Sequence, residues 1–377
     1  MKKLVLVLAA VAMIATSAFA APKKAKKAKK GKAPAYKVAM VTDSGDITDE
    51  SFNQTTYEAG KAFCDANGLP YKYYKPQADN DASRVAACEQ AIAEGANIIL
   101  CPGYLMAAMV VEISSTYPDV KLVALDVSEF DLTSAGGKLG TENVFCAIYQ
   151  EELSGYMAGY AAVKMGYKHL GFLGGMAVPA VVRFGYGYVQ GINDAAKEMG
   201  ITKDISVEYV YGNQFYGDAD IKAYMDTWVS QNVEVIFACG GGIWTSAAEA
   251  AQKTGVKLIG VDVDQKPTID GSYGEGMTVT SAMKGLSATV KAVLTAIVID
   301  NNWAKYSGKV ENLGLVSENP AENFVALPDS TNWSDKFSQA DYKALVKKLL
   351  NGSIKVSNDI ENAPAVTVKV SYQGNIK

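Results

Sequence analysis

The chain has 377 residues, 49% of them hydrophobic, with 36 basic and 40 acidic side chains, enough length and apolar content for globular domains of ordinary size. Nine of the basic residues, all lysine, fall within the first 32 positions, which leaves 27 basic against 40 acidic residues beyond them. So acidic a body is unsuited to a nucleic-acid partner, and a single histidine, His169, excludes a multi-histidine metal centre.

At the start, Lys2 and Lys3, an apolar run over residues 4–14 and Ala18-Phe19-Ala20 have the layout of a secretory signal peptide, expected to span 1–20. The run is shorter than the roughly 20 apolar residues that span a bilayer. Residues 21–35, alanine, lysine, glycine and proline, have no apolar face to bury and are expected to form a flexible tail. From residue 36, β-rich runs at 37–42, 71–74, 97–101 and 121–125 alternate with helical-period segments at 51–67, 81–94 and 105–116. A second series follows: helix 151–165, strand 169–173, helix 178–199, strand 206–210, helix 218–231, strand 234–238, helix 245–254 and strand 257–261. Such alternation predicts an α/β fold of two doubly wound parallel sheets, since about 340 residues exceed one core. The cysteines at 64, 88, 101, 146 and 239 lack metal-ligand spacing and have apolar neighbours, so they read as buried small hydrophobes, with one disulfide left open.

In open α/β sheets a ligand sits beyond the carboxyl ends of the strands. Several turns at that position carry the same kinds of residue. The segment after the first strand contains Asp43, Asp49, Phe52 and Asn53; Asp126 follows the fourth strand, Phe215 the strand ending at 210, and Asp262 the strand ending at 261. Aromatic faces can sandwich a planar base or a sugar, and carboxylates accept from paired hydroxyls or ring N–H groups. Asp49 reads as the N-cap of the first helix, which would put Phe52 in its first turn at the crevice edge. The competing reading makes the aspartates helix caps and Phe52 a core residue of that helix. Neither Gly171-Phe172-Leu173-Gly174-Gly175 nor Gly240-Gly241-Gly242 fits a phosphate-binding motif, and Arg84 and Arg183 are the only arginines. The second glycine run, with Gly241 at its centre, is expected to let backbone approach a ligand closely.

The run Thr-Asp-Ser-Gly-Asp-Ile-Thr-Asp-Glu-Ser-Phe-Asn-Gln at 42–54 resembles the entry signature of the basic membrane protein family, the purine-nucleoside receptors of ABC importers. Gly171 to Met176, Val178-Pro179, Arg183-Phe184, Gly212-Asn213-Gln214-Phe215, Gly260-Val261-Asp262-Val263-Asp264-Gln265 and Thr280 to Lys284 extend the resemblance over about 36–355. It implies a type I periplasmic-binding fold with three hinge crossings, a first lobe of 36–148 plus 280–312 and a second of 149–279 plus 313–377. Phe52 and Phe215 would then stack on the base, Asn53 and Asp126 would bond its edge, and Asp262 and Lys284 would hold the ribose. Asp43 and Asp49 would shape the same loop. Two departures stand out: Ala21 replaces the lipid-bearing cysteine of many relatives, and bulky Trp244 follows the glycines where Thr-Gly is usual.

The resulting expectation is a monomeric binding protein, exported without a lipid anchor to the periplasm or cell exterior, with no catalysis, metal or cofactor. Its partners would be a purine nucleoside and an ABC transporter permease, with no nucleic acid. A sugar ligand is the alternative within the class, because stacking rings and aspartates also suit pyranoses. A nucleoside hydrolase using Asp43 and Asp49 is the alternative outside it, and it lacks an activating partner.

Overall fold

The computed structural model describes residues 36–376. The expected leader at 1–20 and tail at 21–35 lie outside the described residues.

Thirteen strands and eleven α-helices alternate along the described chain. The first series is β1 (Val38–Val41), α1 (Phe52–Asn67), β2 (Tyr71–Tyr74), α2 (Asp81–Ala93), β3 (Ile98–Pro102), α3 (Ala107–Thr116), β4 (Lys121–Leu125), α4 (Glu129–Ser134) and β5 (Val144–Tyr149). Next come α5 (Glu151–Met165), β6 (His169–Gly174), α6 (Pro179–Met199), β7 (Ser206–Tyr211), α7 (Ala219–Ser230), β8 (Val235–Cys239), α8 (Trp244–Ala251), β9 (Lys257–Asp262), α9 (Lys266–Tyr273) and β10 (Thr278–Lys284). Last are α10 (Leu286–Leu294), β11 (Val310–Leu313), β12 (Val325–Ala326), α11 (Gln339–Leu350) and β13 (Lys369–Asn375).

The strands form two sheets, ordered β11-β5-β4-β3-β1-β2 and β12-β10-β9-β8-β6-β7-β13. All pairings are parallel except β12 against β10. This is the expected pair of doubly wound sheets. The central strands β3 and β8 are buried at every position, as strands with helices on both faces must be. Strand order reverses beside β1 in one sheet and beside β6 in the other, which opens a crevice at the carboxyl ends of each.

The chain passes between the sheets after β5, after β10 and after β11. Residue 280, the expected start of the returning first-lobe segment, lies inside β10. Residues Thr280 to Met283 pair with Ile259 to Asp262, which keeps the chain in the second sheet as far as Lys284.

Capping chemistry accounts for several helix starts. Asn80 and Asp218 accept from the third backbone N–H of α2 and α7, and Ser128 with Asp131 and Ser338 with Asp341 form reciprocal boxes on α4 and α11. The first helix departs from expectation: its N-cap is Ser51, not Asp49. All five cysteines are buried free thiols, so no disulfide forms. His169 begins β6, at the end of the strand away from the crevice.

Candidate functional site

The nine residues singled out from the sequence line one cavity: Asp43, Asp49, Phe52, Asn53, Asp126, Phe215, Gly241, Asp262 and Lys284. Together with the space open to solvent at its mouth, the region they surround amounts to about 580 Å³. Loops of the first sheet supply one wall, with Gly103, Tyr104 and Leu105. The second sheet supplies the other, with Val178, Val181 and Phe184. Asp126 and Asp262 occupy matching positions at the ends of β4 and β9. Both have left-handed backbone, φ +61° and +67°, a region that costs a residue with a Cβ and that recurs at functional sites.

The loop between β1 and α1 is organised by carboxylates. Asp49 accepts from the backbone N–H groups of Ser51, Asn53 and Gln54 at 2.9–3.0 Å. It thus does the work of a cap from two residues outside the N-cap position, because the Ser51 hydroxyl donates instead to Asp262 across the cleft. Burial pushes the Asp49 carboxyl up to about 6, against the lowering effect of those three donors. Asn53 spends its amide N–H groups on Asp43 (3.0 Å) and Asp49 (3.4 Å). Its carbonyl oxygen is buried and finds no hydrogen-bond partner among the described residues. Phe52 is 8% exposed: it belongs to the hydrophobic core and also lines the cavity.

Lys284 is the cation of the site. Its ammonium donates to Asp126 at 2.6 Å and lies 3.5 Å from Glu151 and 3.7 Å from Asp262. It also stands 4.5 Å from the Phe52 ring centroid. Burial would lower its pKa, but Asp126, Asp262 and Glu151 together raise it, so the ammonium stays charged. Burial also raises Asp126 and Asp262, with Lys284 pulling each partway back. Glu151 differs. Burial alone would raise it, but Arg183, whose Nε donates to it at 2.6 Å, and Lys284 hold it below its ordinary value. The second oxygen of Asp126 has no partner among the described residues.

The glycine run has a packing explanation. A Cβ on Gly175, Gly240 or Gly241 would press on Phe215, and Gly240 and Gly241 have φ of +150° and +51°. The Gly242 N–H also donates to the Phe215 carbonyl at 2.8 Å. These glycines make room for the loop that carries Phe215, and Gly241 reaches the cavity as part of that arrangement.

Sequence reasoning did not single out Glu151 as a site residue. It follows β5 much as Asp126 follows β4, but residues 144–149 were not recognised as a strand, so that turn was not searched. Ser51, Trp244 and Gln265 also went unassigned, since their partners lie on the other lobe.

Glu152 supplies a pH test beside the site. It is 5% exposed, one carboxylate oxygen has no partner among the described residues, and burial, then the charge of Glu151, push its pKa to about 7. A carboxyl raised in the fold binds a proton that the unfolded chain releases. Its contribution therefore favours folding at low pH and is lost as pH rises from the ordinary glutamate value of 4.5 through 7. Glu152→Gln removes that penalty and is expected to stabilise the protein by on the order of 2–4 kcal/mol at pH 8 and by little at pH 4.5. Thermal unfolding of both proteins at the two pH values measures it. An equal shift at both would contradict the ionisation argument.

Two doubly wound lobes, joined by three chain passages and enclosing a cavity at the carboxyl ends of their strands, define a solute-binding protein of the type I periplasmic-binding fold. The profile of the family described as "ABC transporter substrate-binding protein PnrA-like" matches residues 36–359. The chain belongs to this family, whose members are substrate-binding proteins of ABC transporters and not enzymes; a small molecule and a transporter are accordingly its partners. It is similar to "ABC transporter nucleoside-binding protein BmpA" of Lactococcus lactis subsp. cremoris, at 27% identity over 244 residues. That match covers 61% of this chain and 64% of the relative, a little under two thirds of its length. It is likewise 27% identical to "Basic membrane protein B" of Borreliella burgdorferi over 338 residues, covering 85% of this chain and 87% of that one. In fold it resembles a solute-binding protein of an ABC transporter system from Aeropyrum pernix K1, with a TM-score of 0.70 at 18% identity over 86% of this chain and 94% of that one.

Proposed function

We propose that this protein is an exported receptor that encloses a purine nucleoside and delivers it to an ABC importer. The observation that carries the reading is a pair of buried acceptor oxygens, on Asn53 and Asp126, left without partners among the described residues in a cavity that Phe52 and Phe215 also line. An unsatisfied buried acceptor costs about 1–3 kcal/mol, so a ligand that supplies donors there gains by relieving it. A nucleoside fits in three ways: a planar base for the rings, N–H groups at the base edge, and hydroxyls on the sugar. The name of the Lactococcus relative supports the same class. Asn53 is hydrogen-bonded to Asp43, and Lys284 is ion-paired with both Asp126 and Asp262. We therefore assign the first pair to the base edge and the second group to the ribose, which moves Asp126 from the base to the sugar. No helix among the described residues is long and apolar enough to cross a membrane, in keeping with a receptor that works beside its transporter.

Calorimetry on ligand-stripped protein tests the proposal. Adenosine, guanosine or inosine should bind at low micromolar Kd or tighter. Phe52→Ala should weaken binding about ten- to a hundredfold, since stacking contributes about 1–3 kcal/mol per base. A nucleoside 5′-monophosphate should bind at least about a hundredfold more weakly than its nucleoside. Four carboxylates line the cavity, its lysine is already shared by three carboxylates, and Arg183 is held by Glu151 outside the lining. Heat from glucose or ribose, with none from any nucleoside, would replace this reading with a sugar receptor.

A further inference from the structure

Four groups outside the cavity join the two lobes at one short segment. The segment is Asp49-Glu50-Ser51, the last turn of the first-lobe loop before α1. From the second lobe, the Trp244 indole N–H donates to the Asp49 carbonyl at 3.3 Å and the Gln265 amide donates to the Glu50 carbonyl at 2.9 Å. The Thr268 hydroxyl donates to the Glu50 carboxylate at 3.3 Å. Ser51 completes the set from the first lobe by donating to Asp262. Trp244 and Gln265 are 6% and 1% exposed, and the Trp244 bond is buried at both ends, so it cannot be exchanged for water without opening the cleft. Glu50 is a non-glycine residue at φ +52°, a conformation that persists only where surroundings hold it. Its N–H is tied to the Gln54 side chain within the first lobe while its carbonyl and carboxylate are held by the second.

We propose that Trp244, Gln265 and Thr268 form a clasp on Asp49-Glu50-Ser51 that positions Phe52 and Asn53 and sets how long the closed cleft retains its ligand. None of Trp244, Gln265, Thr268 or Glu50 lines the cavity, so they act on a ligand only through the segment they hold. Phe52 and Asn53 are the next two residues after Ser51, in the first turn of α1, and move with it. Each bond joins two protein groups, so the clasp favours closure independently of the contacts a ligand makes. The bulky residue after the glycine run, Trp244, serves closure in this way and does not narrow the cavity.

The test uses the Trp244→Phe/Thr268→Val double variant, which removes two donors while keeping the ring and the β-branched shape. Gln265 is left in place because it also accepts from the Val261 N–H and so braces the end of β9. Spin labels at Lys61→Cys in α1 and Asp226→Cys in α7, both on exposed side chains, report the distance between lobes. The five native thiols are buried and will not compete for label. Without ligand, the double variant should shift towards longer distances than the parent, with a modest fall in melting temperature because Trp244 also packs in the second-lobe core. With guanosine as probe, its dissociation rate should rise about tenfold while the association rate stays within about twofold. An unchanged distance distribution in the ligand-free variant overturns the clasp. The guanosine arm rests on the nucleoside reading; if the parent binds no nucleoside, that reading falls while the ligand-free distances still decide the clasp.

Discussion

Lys284→Met is expected to abolish ligand binding and to cost about 3–5 kcal/mol of stability at pH 8, because one buried cation is removed from among three carboxylates. Glu151 keeps Arg183, but Asp126 and Asp262 lose the ammonium that offsets their burial, so both pKa values rise further. A carboxyl raised in the fold favours folding at low pH and loses that advantage as pH increases through its folded value. The deficit should therefore be largest at pH 8 and shrink towards pH 5 as the two groups take up protons. Adding Asp126→Asn to the variant removes one stranded charge. It should restore much of the stability at pH 8 without restoring binding, which separates the structural role of the ammonium from its role towards a ligand. Urea unfolding at pH 5 and pH 8, with calorimetry for binding, reads both. A single variant as stable as the parent at pH 8 would mean that water already reaches Asp126 and Asp262. A double variant that stays as weak as the single one would deny Asp126 its place as the main partner.

The alternation of strand and helix was legible because each element has a strong local signature. Val38–Val41, Ile98–Pro102 and Val235–Cys239 are short apolar runs bounded by polar turns, and the observed strands fall within about a residue of those read from sequence. The cavity residues were legible for the same reason. Once the strands are placed, the residue after each carboxyl end is known, and Asp43, Asp126 and Asp262 sit there. What stayed hidden depends on contacts distant in sequence. Asp49 was taken for a local N-cap, but its carboxylate serves α1 from two residues outside the cap. Ser51 is diverted to Asp262, 211 residues away, and no local pattern announces that. Glu151 was missed because β5 was. Strands β10 to β13 complete the sheets from segments after residue 277, where the βαβ alternation breaks down as the chain passes back and forth between the lobes.

A second large loss of stability is expected at the glycines that join α5 to α6. Gly155 and Gly159 on α5 lie against the carbonyls of Phe184 and Tyr188, and Gly187 and Gly191 on α6 lie against those of Glu152 and Tyr156. At each position an added Cβ would come within 3.0 Å of the opposing backbone, and a carbonyl fixed in a helix cannot swing aside as a side chain can. Both pairs are spaced i, i+4, so each helix presents a smooth stripe to the other and the axes approach closely. Gly187→Ala or Gly191→Ala should each cost about 3 kcal/mol, at the upper end for overpacking and in spite of alanine's gain of about 1 kcal/mol in helix propensity. The two together should prevent accumulation of folded protein. Gly271→Ala in α9 is the control. A Cβ there meets nothing within 4 Å, so only the propensity acts, and the substitution should stabilise by up to about 1 kcal/mol. The same chemical change thus carries opposite signs at two helical sites, which denaturation curves resolve directly. The single interface variants should also bind ligand more weakly. The N-terminal ends of α5 and α6 carry Glu151 and Arg183, and through Glu151 the spacing of the two helices reaches Lys284. Full ligand affinity in a variant destabilised by 3 kcal/mol would show that the Glu151–Arg183 pair tolerates the shift and that Lys284 is held by Asp126 and Asp262 alone.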